Sequence, residues 1–124
     1  MTANDTQKIY HLSTCDTCKR IIDQLNLPDS FNKQDIKTNP ITETELDDLV
    51  ALSGSYEALF SKRARLYKER NLKKQNLQEE DYKSLLLEHY TFLKRPVLLY
   101  NDQVFIGNSK KTVDAAKALI LNSN

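Results

Sequence analysis

The sequence predicts an α/β domain with a four-stranded mixed sheet, and three observations carry that prediction. A mostly apolar run at residues 9–12 gives way to a helical pattern from Cys15 and then to a second short extended run. Strand, helix and strand within about thirty residues make a βαβ unit, whose two strands run parallel. Residues 97–100 and 103–106 flank Asn101-Asp102 in the pattern of a hairpin, and an amphipathic helix follows them. Nearly everything between these halves reads as helix, so residues 41–92 or thereabouts form a helical insertion between the βαβ and ββα halves of one domain spanning 1–124.

Taken in order, residues 8–12 read as the first strand and 15–25 as the first helix, whose Ile21, Ile22 and Leu25 share a face. Asn26-Leu27-Pro28-Asp29 breaks that helix, and residues 31–36, closed by the turn Lys37-Thr38-Asn39-Pro40, give the second strand. Thr42 and Glu45 form a capping box for a helix that runs to residue 52 and ends at Ser53-Gly54. A helical turn is expected at 56–60, a short helix from Leu66 to about Asn71, and an amphipathic helix over 79–90 with Tyr82, Leu85, Leu86 and His89 on one side. After the hairpin, Gly107-Asn108-Ser109 is a loop with an N-cap, and Val113, Ala116, Leu119 and Ile120 mark a closing helix that frays at 122–124.

Of the 124 residues, 40% are hydrophobic and 28% charged, the balance of a soluble globular protein. Lys and Arg number 18 against 17 acids, and a net charge of +1 gives no general attraction for nucleic acid or membrane. The polar start Met1-Thr2-Ala3-Asn4-Asp5-Thr6-Gln7 lacks the basic and apolar parts of a signal peptide. No apolar run approaches a membrane span, so the expectation is a cytoplasmic protein acting as a monomer, with no direct nucleic-acid or membrane partner.

The chemistry concentrates at Ser13-Thr14-Cys15-Asp16-Thr17-Cys18-Lys19-Arg20, which holds both cysteines of the chain. A helix beginning near Cys15 leaves its sulfur beside unpaired backbone N–H groups and the positive end of the helix dipole, which favours the thiolate over the thiol. The thiolate is the nucleophile, and a second cysteine one turn on is placed to resolve a mixed disulfide. The same C-x-x-C spacing also serves half a zinc site or two inert thiols. A structural zinc needs four ligands, and only His11 and His89 are available to join the pair, so no metal is expected. Asp16 opposes a thiolate next to it, Lys19 and Arg20 are expected on the helix surface, and His11 and His89 read as packed rather than functional histidines. Lys62, Arg63 and Arg65 read first as a solvated basic face.

The order of elements is the layout of the thioredoxin fold, glutaredoxin-like in its halves. Beyond the layout, the chain resembles the arsenate-reductase-like (ArsC) family over nearly its whole length, on Thr14-Cys15-Asp16-Thr17-Cys18-Lys19-Arg20, on Leu59-Phe60-Ser61-Lys62-Arg63 before a Tyr67-centred helix, on Lys94-Arg95-Pro96, and on Val104-Phe105-Ile106-Gly107. The family includes glutaredoxin-linked arsenate reductases, small reductases related to them, and the regulator Spx, which binds RNA polymerase.

The resemblance implies a thiol-dependent oxidoreductase with Cys15 as nucleophile and Cys18 as resolving thiol. Pro96 is then in a cis peptide bond facing Cys15, and Arg95 and Arg63 bind an oxyanion or a substrate carboxylate. It implies no bound cofactor, glutathione or another thiol reductant as co-substrate, and thioredoxin or glutaredoxin as a protein partner. The family's arsenate reductases carry three arginines around the sulfur. Here Arg95 matches, Ser61 occupies the position aligned with the first, with Arg63 two residues on, and Gly107-Asn108 stands at the third, which disfavours arsenate itself. The second cysteine implies a disulfide closed within the chain, and it keeps open two alternatives: an Spx-like redox-sensing regulator and a thioredoxin-fold module with a vestigial site.

Overall fold

The computed structural model describes residues 7–122, so the polar start at 1–6 and the end of the fray expected at 122–124 lie outside the described residues. The chain divides into two compact units, the second being Pro40–Lys94, which is inserted in sequence between the two parts of the first.

The first unit is built on β1 (Gln7–His11), α1 (Asp16–Leu25), β2 (Asn32–Asp35), β3 (Val97–Tyr100), β4 (Gln103–Ile106) and α5 (Lys110–Asn122). Its sheet has the order β2-β1-β3-β4, with β1 and β2 parallel and the other two pairings antiparallel. A βαβ half joined to a ββα half across the β1–β3 pair is the thioredoxin-like arrangement. In the β1–β3 register Ile9 faces Leu98, and with Tyr100 two residues on they share one face of the sheet. Against that face pack Ile21 and Leu25 of α1, Val113, Ala116 and Ile120 of α5, and Phe31. The opposite face, with Tyr10 and Val97, is buried as well, which is why β3 is apolar at all four positions instead of alternating.

The elements stop where local chemistry stops them. Asn26 in the left-handed conformation (φ 48°) terminates α1. Asn101 (φ 57°) turns the hairpin, which pairs Tyr100 with Gln103 as the two-residue loop requires. The Ser109 hydroxyl accepts the Thr112 N–H at 3.1 Å and caps α5. The lone buried polar side chain among the described residues, Gln34, donates to the Asn39 carbonyl at 2.9 Å.

The second unit holds α2 (Glu43–Ser53), α3 (Arg65–Glu69) and α4 (Glu79–Glu88), with 3-10 turns between them at Glu57–Leu59 and Leu72–Lys74 and a third after α4 at Tyr90–Phe92. The capping box at α2 forms as its sequence predicts: Thr42 accepts from the Glu45 N–H at 3.1 Å and Glu45 from the Thr42 N–H at 2.9 Å. Gly54 (φ 96°) ends the helix. The core of this unit centres on Phe60, stacked on Phe92 at 5.2 Å and met edge-on by Tyr82 at 4.9 Å and Tyr67 at 5.8 Å. An antiparallel bridge between Phe60 and Leu93 ties the two connections together.

Several bounds differ from the sequence expectation: the second strand is Asn32–Asp35 instead of 31–36, the short helix Arg65–Glu69 instead of 66–71, and three further differences have a local cause. The last helix of the insertion stops at Glu88 instead of residue 90, because His89 turns extended and its Nδ1 accepts the Thr91 N–H at 3.0 Å, starting a separate 3-10 turn. The turn at Leu72–Lys74 has no helical apolar spacing and arises after Asn71 reverses the chain at φ 56°. Strand β1 begins and ends one residue earlier than expected, because its pairing with β3 runs from Gln7 to Tyr10.

Candidate active site

Cys15 is the N-cap residue of α1, extended at φ −96° and ψ 114°, with no side chain capping the helix in the ordinary way. Its carbonyl accepts the Lys19 N–H at 3.1 Å, and its own N–H is tied to the Leu12 carbonyl at 3.0 Å, so the sulfur is anchored between strand and helix. The preceding turn is pinned from β2, where the Asp35 carboxylate accepts the backbone N–H groups of Ser13 at 3.3 Å and Lys37 at 3.2 Å. Asp35 is held below the usual carboxylate range mainly by hydrogen bonding from Ser13. Sequence reasoning missed this residue: nothing at positions 32–36 marks one carboxylate as facing a turn more than twenty residues upstream.

The two thiols are driven in opposite directions. The largest influence on Cys15 is burial, which pushes its thiol up. Against it act the backbone N–H and thiol of Cys18, the Thr17 N–H and the Arg95 charge, and together they bring Cys15 below its ordinary value. Desolvation, rather than the Asp16 carboxylate, is therefore the main force opposing the thiolate. Cys18 lies one turn into α1 with no exposed surface and is pushed up to about 11, first by burial, then by its hydrogen bond to Cys15 and the Cys15 charge. Cys15 is half-buried and open to reagents; both cysteines are free thiols.

Arg95 is half-buried immediately before β3, and its charge favours both thiolates. Among the described residues it makes no salt bridge. The Arg95–Pro96 bond is cis, and the Pro96 carbonyl accepts the Gly107 N–H at 2.9 Å. Gly107 takes φ 92°, a conformation that disfavours a side chain such as arginine there. Arg63 belongs to the Pro40–Lys94 unit, exposed in the loop before α3, with its N–H bonded to the Ser61 hydroxyl at 3.3 Å. Cys15, Cys18, Arg95 and Pro96 thus belong to one unit, in which the Arg95 charge reaches both sulfurs, and Arg63 belongs to the other.

His11 is half-buried on β1, and burial holds its imidazole below the ordinary value, with Asp35 pulling the other way. Lys19 and Arg20 are exposed on α1. Among the described residues no three His, Cys, Asp or Glu side chains are gathered to hold a metal ion, and no helix is long and apolar enough to cross a membrane.

The fold is shared with solved structures. The YFFB (PA3664) protein is 23% identical with a TM-score of 0.75, over 93% of this chain and 99% of that one. A candidate ArsC-family-related protein from Bacteroides fragilis is 22% identical with a TM-score of 0.73, over 91% and 98%. The arsenate reductase from Vibrio cholerae is 21% identical with a TM-score of 0.71, over 94% and 98%. No curated protein is a match to the chain. The sequence model of the ArsC family matches residues 10–116, a span that takes in the C-x-x-C turn, Arg63 and the Arg95–Pro96 bond, and the chain belongs to the ArsC family.

Proposed function

We propose that this protein is a thiol-dependent oxidoreductase in which Cys15 is the nucleophile and Cys18 the resolving thiol, working as one functional domain. The arrangement that supports this reading is two cysteines on one turn in opposite surroundings: a half-buried Cys15 at the helix N-terminus, its thiol lowered by backbone N–H groups, Cys18 and Arg95, and a fully buried Cys18, its thiol raised by burial. The Cys15 thiolate attacks one sulfur of a disulfide substrate. A Cys15–substrate S–S bond forms, the substrate's own S–S bond breaks, and the second substrate sulfur leaves with the electron pair.

Forming that mixed disulfide removes the negative charge and the hydrogen bond through which Cys15 raises Cys18. Cys18 then gives its proton to solvent or to the departing thiolate and attacks Cys15 Sγ. The Cys15–Cys18 disulfide closes, the remaining substrate thiol is released, and the substrate has gained two electrons that the dithiol has lost. Glutathione or another thiol reductant, with thioredoxin or glutaredoxin as the protein form of that donor, restores the pair.

Arg95 binds the carboxylate or oxyanion of the substrate, Arg63 is the second anion-binding candidate, and Pro96 lines the approach to Cys15. Arsenate is the poorer substrate, because each missing oxyanion donor lowers turnover by a factor of about 10² or more. The protein is proposed to act as a cytoplasmic monomer on the disulfide of a small thiol or on an oxyanion substrate, with no direct nucleic-acid or membrane partner.

The test is the rate of Cys15 alkylation against pH in the intact chain, Cys18→Ser and Arg95→Ala, alongside turnover of a glutathione mixed disulfide. The expected result is a midpoint below the free-thiol value that rises in Arg95→Ala, with a trapped mixed disulfide in Cys18→Ser. A free-thiol midpoint in all three overturns the proposal and leaves a vestigial module. A reversible Cys15–Cys18 disulfide without turnover overturns it in favour of a regulatory switch.

A further inference from the structure

A cavity of about 500 Å³ opens within the Pro40–Lys94 unit, bounded by residues for which the thiol chemistry has no use. Its volume lies in the range of small-molecule sites, about 300 to 1,000 Å³. Tyr67 and Leu77 are the half-buried apolar lining, and Tyr82 and Leu72, both buried, reach it by an edge. The aromatic side is rigidly backed: both tyrosine rings meet Phe60 edge-on, and Phe60 is itself stacked on Phe92, with both phenylalanines essentially fully buried.

The polar lining is Lys62, Lys73 and the amides Gln75 and Asn76. Glu57 already neutralises Lys62: its carboxylate accepts from Lys62 Nζ at 2.7 Å and from the Tyr82 hydroxyl at 3.4 Å, fixing both at the wall. Lys73 has no ion pair among the described residues, so the uncompensated charge at the cavity is a single positive one. The side-chain amides of Gln75 and Asn76 are exposed and hold no partner in the described residues, leaving donors and acceptors for a ligand edge.

We infer that this cavity binds a small ligand made of a planar ring carrying an anionic group, the ring against Tyr67, Tyr82 and Leu77 and the anion at Lys73. Aromatic walls favour a flat π-face, the unpaired ammonium favours negative charge, and the two amides add orientation. An aromatic carboxylate and a mononucleotide share this chemistry, and inorganic phosphate has only its charge.

The experiment is titration of the reduced full chain with benzoate, AMP and inorganic phosphate, followed by NMR at the Tyr67 and Tyr82 rings and the Leu72 and Leu77 methyls. Saturable shifts at these positions with benzoate or AMP, and not with phosphate, are expected, and the better of the two names the source of the ring. Lys73→Gln should weaken that binding by about threefold or more, in keeping with one solvent-facing charge. Leu77→Ser should weaken it without altering the Cys15 alkylation profile. Equal shifts with phosphate alone reduce the site to surface charge, unaltered binding by Lys73→Gln removes the anion from the assignment, and no saturation with any probe removes the site. Each of these three results overturns the inference.

Discussion

Cys15 and Cys18 share one turn of α1, and the difference between them is solvent. Backbone N–H groups reach Cys15 at the open helix end, and burial keeps the proton on Cys18. The two shifts have opposite linkage to stability. Cys15, lowered from 9.0, contributes stability that is present above that value and is lost as pH falls through its folded value. Cys18, raised from 9.0 to about 11, is still protonated in the folded chain when the unfolded chain has lost its proton, so its contribution is complete below 9.0 and disappears as pH rises towards 11. At about 1.4 kcal/mol per pKa unit, the reduced protein should lose unfolding free energy over that window through Cys18, on the order of 1 kcal/mol or more. Urea denaturation of the intact chain and Cys18→Ala at successive pH values checks this: the loss should appear in the first and be missing from the second.

Caps and turns decide where the elements begin and end, and two of them give independent tests. The Thr42–Glu45 capping box satisfies two backbone N–H groups of α2 reciprocally. Thr42→Ala should therefore cost about 1 kcal/mol in urea denaturation and Thr42→Ser much less. At the hairpin, Asn101 occupies φ 57°, where a Cβ without local hydrogen bonding is unfavourable. Asn101→Gly should leave stability within a few tenths of a kcal/mol, and Asn101→Ala should lower it by about 1 kcal/mol by the same measurement. Both features were legible in the sequence, because cap and turn residues act on neighbours a few positions away. The break at His89 and the turn after Asn71 were not: each depends on a backbone conformation that many residue types adopt when surrounding packing requires it.

Across the whole molecule, the sheet core of the first unit and the Phe60 core of the second are each assembled from segments far apart in sequence. Ile9 has no exposed surface, faces Leu98 across the β1–β3 pair and belongs to the same cluster as α1 and α5. Truncating it leaves a cavity bounded by rigid elements that close in only partly. Ile9→Ala should destabilise the protein by about 2 to 5 kcal/mol in urea denaturation. A loss below about 1 kcal/mol would mean that the sheet and its two helices repack freely around the vacancy.

What the sequence determined by itself was the class and order of the elements, the hairpin, the capping box and the placement of Cys15 at a helix start, because period, turn chemistry and capping are all set by residues within a few positions. The ArsC resemblance, carried by the C-x-x-C turn and Lys94-Arg95-Pro96, rested on the same kind of local signal. Tertiary structure alone decided that Cys18 is fully buried, that Asp35 pins the Ser13 turn, that Arg95 lies close enough to act on both thiols, and that among the described residues Lys62 is paired with Glu57 while Lys73 makes no ion pair. Each of these depends on distances between segments remote in sequence, and desolvation and Coulomb energy follow distance in space rather than separation along the chain.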